Sequence, residues 1–173
     1  MQVFGFAGWS GSGKTTLIEQ LIPRFVTDGL TVSVIKHAHH GFDIDRPGKD
    51  SFRHREAGAG EVMITSGQRW VLMHELRGQA EPDLETQLAR LSPCDLVLVE
   101  GYKRAPIPKL EVHRPSLGRP LLADGDPDIV AVATDAPVGA AVPVLPLADY
   151  DAIVAFVEAR LGLAGRGRPA PRR

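Results

Sequence analysis

Apolar positions along the chain switch between two periods, and the switches mark out its elements. Val3, Phe4, Phe6 and Ala7 form a short apolar run that predicts a buried strand. Leu17, Ile18, Leu21, Ile22, Phe25 and Val26 then return at helical spacing and predict one face of a helix, closed by Gly29 in a left-handed C-cap. Residues 31–36 are rich in β-branched side chains and predict a second strand. A short helix is expected over 51–57, stopped by Gly58, with Asp50 available as its N-cap. Residues 61–65 and 69–73 predict two strands joined by Ser66-Gly67-Gln68, a hairpin. Pro82-Asp83-Leu84 opens a third helix whose apolar stripe is Leu84, Leu88 and Leu91. The continuous run 94–100 reads as a central parallel strand, 109–114 as a half-buried alternating strand, and 128–135 and 142–145 as further strands. Ile153, Val157 and Leu161 predict a final helix stopped by Gly162.

Between the first strand and the first helix lies Gly8-Trp9-Ser10-Gly11-Ser12-Gly13-Lys14-Thr15, which fits the phosphate-cradling pattern G-x-x-x-x-G-K-[ST] at every fixed position. The glycines let successive amide N–H groups point inward at phosphate oxygens, and the helix adds its own unpaired N–H groups and dipole. Lys14 brings a full charge to the terminal phosphates, and the Thr15 hydroxyl is available to Mg²⁺. The strand–loop–helix order and the alternation that follows predict an α/β, P-loop NTPase-like fold. Its expected form is a mostly parallel central sheet flanked by helices, with an antiparallel hairpin extension.

Composition narrows this only slightly. With 173 residues, 43% hydrophobic and 24% charged, the chain is expected to form a single globular domain over 1–163. No apolar stretch approaches the ~20 residues that cross a bilayer, and the chain runs directly into its first strand, so a cytoplasmic protein is expected, without a membrane role. Cys94 is the only cysteine, which rules out an internal disulfide. Four of the 20 basic residues sit in the tail 164–173, expected to be disordered. That leaves 16 basic against 21 acidic groups in the body, which argues against nucleic acid as a partner.

Other candidates cluster at predicted strand ends, where open α/β sheets bind ligands. Glu100 closes the 94–100 run and is a candidate to hold Mg²⁺ or its waters, as against a plain strand-end acid. After the second strand come His37, His39 and His40. They are either transition-metal ligands or, better supported by their spacing, neutral hydrogen-bonding groups. Asp45 or Asp50 could add a second carboxylate to the Mg²⁺ shell. Arg46, Lys49, Arg53 and Arg55 make residues 36–55 basic, either to bind a second phosphorylated molecule or as a solvated face. The carboxylate of Asp135 could accept from guanine N1–H and the exocyclic amine, or simply start the turn Asp135-Ala136-Pro137. Trp70 on the hairpin suggests an edge or dimer contact.

The loop GWSGSGKTTL, the segment VIKHAHHGFDIDRPGKDSFRHREAGA, the strand LVLVEGYK and the stretch PKLEVHR together resemble the MobB family of molybdopterin-guanine dinucleotide biosynthesis proteins, over about residues 1–160. The resemblance implies a GTP-binding P-loop protein, a homodimer with at most weak Mg²⁺-dependent GTPase activity. It also implies an assisting role toward a MobA-like molybdopterin guanylyltransferase, with molybdopterin as a further candidate ligand. On this resemblance Gly11, Ser12, Gly13, Lys14, Thr15 and Thr16 hold phosphates, and Thr15 with Glu100 holds Mg²⁺. Lys14 and Glu100 are the residues nearest to chemistry. The usual N-K-x-D guanine motif is absent, with Asp135 supplying only its acid. Two other readings stay open. One is a small-molecule kinase with Arg46, Lys49, Arg53 and Arg55 as a lid and an acid such as Asp43 as base. The other is a scaffold whose nucleotide is structural.

Overall fold

A computed structural model describes residues 1–38 and 41–165 of the chain. They divide into two compact units: residues 1–37 with 90 onward, and residues 38–89.

The first unit is built on a six-stranded, all-parallel sheet. Its strands are β1 (Gln2–Ala7), β2 (Val32–Lys36), β5 (Leu96–Glu100), β6 (Lys109–His113), β7 (Ile129–Thr134) and β8 (Val144–Pro146), in the order β2-β5-β1-β6-β7-β8. The central position of β1 puts its C-terminal end where strand order reverses, the place at which such sheets bind ligands.

Strand periodicity sorts side chains onto two unlike faces. Phe4 and Phe6 of β1, Leu96 and Leu98 of β5, and Leu110 and Val112 of β6 share an apolar face. Helices α1 (Lys14–Thr27) and α4 (Tyr150–Leu161) cover it with Leu17, Leu21, Phe25, Ile153 and Val157. The two chain reversals that end these helices match the expected glycines. After α1, Leu30 N donates to Phe25 O and Gly29 N to Val26 O, with Gly29 at φ 87°; Gly162 ends α4 at φ 65°.

The other face carries charge. Lys109 and Glu111 are fully buried and His113 nearly so, which corrects the half-buried reading of this strand. Burial is tolerable because each ion has partners. Lys109 Nζ donates to Ala105 O (2.7 Å) and pairs with Asp126 (3.0 Å); the Glu111 carboxylate accepts from Leu122 N and Ala123 N at 2.9 Å. The connections that pass over this face contain no α-helix, and these ions fasten them down. At Gly5 a Cβ would lie 2.6 Å from Lys109 Cγ and 3.2 Å from Ile107 Cδ1, so the crossing segment needs a strand residue without a side chain.

The second unit comprises α2 (Asp50–Glu56), β3 (Glu61–Thr65), β4 (Trp70–His74) and α3 (Leu84–Leu88), with β3 and β4 antiparallel as expected. Two expectations need adjusting. Asp50 is the first residue of α2 rather than its cap, which falls to Lys49 without a side-chain bond. The third helix stops at Leu88 and buries none of its residues, so the stripe through Leu91 does not form; Asp83 is its N-cap, accepting from Thr86 N at 2.8 Å, which leaves Pro82 outside the first turn. No helix among the described residues is long and apolar enough to cross a membrane.

Candidate functional site

The glycine loop joins β1 to α1 at the reversal point of the sheet. Gly8, Gly11 and Gly13 take φ values of 144°, 80° and 96°, a region that side chains rarely allow. At Gly8 space forbids a side chain as well: a Cβ would stand 2.5 Å from Val112 O and 2.7 Å from Ser12 Oγ. The loop thus lies directly on the end of β6.

Within the loop, Lys14 Nζ donates to Gly8 O (3.1 Å) and Trp9 O (2.9 Å), so the ammonium is held over the loop rather than turned to bulk water. Burial pushes the Lys14 pKa down, Glu100 opposes this, and Lys103 and Lys36 push it further down. Ser12 Oγ, almost fully buried, is the one side-chain polar atom among the described residues that is buried without a hydrogen-bond partner.

Glu100 lies on the same sheet face as Leu96 and Leu98, which is the face that α1 covers. The consequence is a direct contact: Thr15 Oγ1 donates to Glu100 Oε1 at 2.7 Å. The hydroxyl and the carboxylate expected at a Mg²⁺ site thus lie within hydrogen-bond distance of each other. Sequence reasoning gave no role to Lys36, at the end of β2. Its ammonium donates to Thr15 Oγ1 (3.1 Å) and lies 3.4 Å from Glu100 Oε2. A lysine closing a strand that borders β5 was detectable by the strand-end rule. Thr16, expected among the phosphate contacts, is exposed in the first turn of α1.

On the other side of the loop Arg114, directly after β6, was also missed. Its Nε donates to Ser12 O (3.0 Å), and its Nη1 pairs with Asp135 Oδ2 (2.7 Å). Asp135 is thereby tied to the loop. It borders a cleft of about 320 Å³ walled by Thr134, Leu147, Ala148 and Tyr150, at the lower end of ligand-pocket sizes. A larger groove of about 510 Å³ lies by Thr27 and Asp28, at the far end of α1 from the loop.

The remaining candidates other than His37 fall in residues 38–89. Asp45 Oδ1 accepts from Arg46 N (2.9 Å) and Ser51 Oγ (2.8 Å), and its Oδ2 faces Arg55 at 3.4 Å. Arg55 also binds Asp43 (2.9 Å) and Glu75 (2.6 Å), which raises its pKa while its hydrogen bond holds Asp43 below the ordinary 3.8. His37 packs its ring 5.1 Å from Tyr102; His39, His40 and the tail 166–173 lie outside the described residues. No group of three or more His, Cys, Asp or Glu among the described residues is arranged to hold a metal.

A glycine loop closed by its own lysine, at the reversal point of a parallel sheet and beside a strand-end carboxylate, defines an α/β protein of the P-loop class. The family model described as "Molybdopterin guanine dinucleotide synthesis protein B" (MobB) matches residues 3–135. The chain is 42% identical over 158 residues to the molybdopterin-guanine dinucleotide biosynthesis adapter protein of Escherichia coli K12, covering 90% of each. It is 44% identical over 135 residues to that of Haemophilus influenzae, covering 78% of this chain and 75% of the relative. Among solved structures, a MobB homologue from Bacillus stearothermophilus superposes with a TM-score of 0.67 at 27% identity, over 94% of this chain and 99% of the other. The chain belongs to the MobB family.

Proposed function

We propose that this protein is a GTP-binding adapter in the biosynthesis of molybdopterin guanine dinucleotide, the role that names its relatives in Escherichia coli and Haemophilus influenzae. The observation that carries the nucleotide reading is the loop itself: Lys14 drawn over it by two of its carbonyls, its ammonium partly buried and its pKa pushed down by that burial. A nucleoside triphosphate would give that buried ammonium a counter-charge, and Gly11, Ser12, Gly13, Lys14, Thr15 and Thr16 would supply the donors.

Mg²⁺ suits the neighbouring pair, because a hydroxyl and a carboxylate are the hard oxygen donors it prefers. Thr15 and Glu100 would hold it, and once bound it would offset phosphate charge. Lys36, which now shares both oxygens, would be released toward the phosphates. Asp45, also expected as a ligand, already has partners on both oxygens. Hydrolysis would be slow, since Glu100 would be engaged with Mg²⁺ rather than free to orient water. The cleft beside Asp135 is our site for the guanine base, with the carboxylate presented by Arg114.

As an adapter the protein would act on the guanylyltransferase that joins GMP to molybdopterin, and it would do so as a homodimer. The exposed apolar side chains on one face of the two-stranded sheet, Met63, Trp70 and Leu72, are the surface that supports self-association. The kinase alternative is weakened by one pairing. Arg55, assigned to the lid, and Asp43, assigned as base, neutralise each other at 2.9 Å.

Titration calorimetry with GTP·Mg²⁺ tests the central claim. Lys14→Ala should weaken GTP at least ~100-fold, in line with loss of a charge-assisted phosphate contact; unchanged affinity removes the site. Asp135→Asn should narrow the preference for GTP over ATP, and an unaltered ratio removes the base assignment.

A further inference from the structure

Two cations near the loop have no role in the site described so far. Lys103 Nζ lies 4.7 Å from the centroid of the Trp9 indole, and Arg119 Cζ lies 5.4 Å from the same ring. Neither has a carboxylate partner among the described residues, whereas the other outer cations of this rim do: Lys36 pairs with Glu100 and Arg114 with Asp135. Cation–π contact is a weak substitute for a counter-ion at a half-exposed ring. Lys103 is also close enough to Lys14 to make that ammonium less basic. Glu100 offsets that effect at Lys14, but Lys103 and Arg119 themselves face no acid among the described residues, and an anion between them would supply the missing counter-charge.

The arrangement is built rather than incidental. The indole N–H donates to Pro120 O at 2.9 Å, which fixes the ring against the segment that carries Arg119. Two residues further on, that segment is anchored by the amides of Leu122 and Ala123 on the buried Glu111. Lys103 comes from the opposite neighbour of β1, just after β5 and Gly101.

The two ends of the loop can be told apart. Arg114 and Asp135 mark the Ser12–Gly13 side, next to the proposed base cleft. Lys14, whose counterpart in such loops reaches the terminal phosphates, is bonded to the carbonyls of Gly8 and Trp9. Trp9 therefore flanks the terminal-phosphate end. We propose that Lys103 and Arg119, stored on the Trp9 indole, grip the terminal phosphate of the bound nucleotide and make the protein discriminate tri- from diphosphate. The inference rests on the nucleotide reading above and goes beyond it in naming which phosphate is read, and by what.

Calorimetric titrations of GTP and GDP against wild type, Lys103→Met, Arg119→Met, the double variant and Trp9→Ala decide it, with thermal melting as a check on folding. Each single Met variant should lose about 10-fold in GTP affinity and the double variant about 100-fold, with GDP changed less than about 3-fold. Trp9→Ala, which releases both cations, should also lose GTP selectively. Equal losses for GTP and GDP, or no loss in the double variant, would overturn the proposal while leaving the nucleotide site standing. A wild-type protein that binds neither nucleotide would overturn both.

Discussion

The sheet unit buries Phe4, Phe6, Leu21 and Phe25 completely, whereas residues 38–89 bury one apolar side chain, Met73, and leave Met63, Ile64, Trp70 and Leu72 at the surface. What residues 38–89 have instead is Arg55, which gathers Asp43, Asp45 and Glu75 around one guanidinium. Burial drives the first unit and directional polar contacts organise the second. The contrast teaches where tolerance to change should lie. The sheet unit holds the phosphate loop rigidly at a strand junction, while a two-stranded sheet with little beneath it is marginal alone and gains from a partner.

The strongest blow to the contrast is Phe25→Ala. It should destabilise the protein by about 3–5 kcal/mol in denaturant titrations, the cost of emptying a fully buried aromatic site. A loss below about 1 kcal/mol would mean that α1 is not anchored by its core face. Arg55→Ala should act more locally. Amide exchange in β3 and β4 should accelerate while β1, β5 and β6 stay protected, and a uniform acceleration throughout would erase the distinction between the units. Trp70→Ser, paired with Met63→Ser, should leave stability within about 0.5 kcal/mol and convert the proposed dimer to monomer in sedimentation equilibrium. A dimer that persists would move the self-association surface elsewhere.

The smallest effect is that of acid. Because Arg55 holds the folded-state pKa of Asp43 below 3.8, this carboxylate stabilises residues 38–89 above that pH. Its contribution disappears as pH falls through the depressed value. Proteolysis in the hairpin should therefore increase on acidification below about pH 4 before sheet amides lose protection, and Asp43→Asn should abolish that early step.

Most of the sheet unit could be read from the chain because its signals are local. The switch of period around residues 8–13, the continuous run ending at Glu100 and the glycines after the helices each act within a few residues. The misreadings came from distant partners. Residues 109–113 alternate like a half-exposed strand, yet Asp126, Asp128 and the amides of Leu122 and Ala123 arrive from further along the chain to bury their charges. In the site, Thr15 and Glu100 were legible from motif and strand end. Arg114 and Arg119 were not, because a lone basic residue acquires meaning only from what it faces. The expected helical stripe through Leu91 failed for the converse reason: α3 buries none of its residues, so spacing alone could not sustain it.

Gly5 shows how far the influence of a missing atom can travel. It touches no phosphate and makes no turn, yet one added methyl there would collide with the stem of Lys109 and with Ile107. The intrusion would lift the 101–108 link off the sheet and drag an ammonium away from Asp126, three residues before the chain bends into its glycine loop. Clearance on one side of the sheet is thus a condition for the path of the strand that leads into the loop.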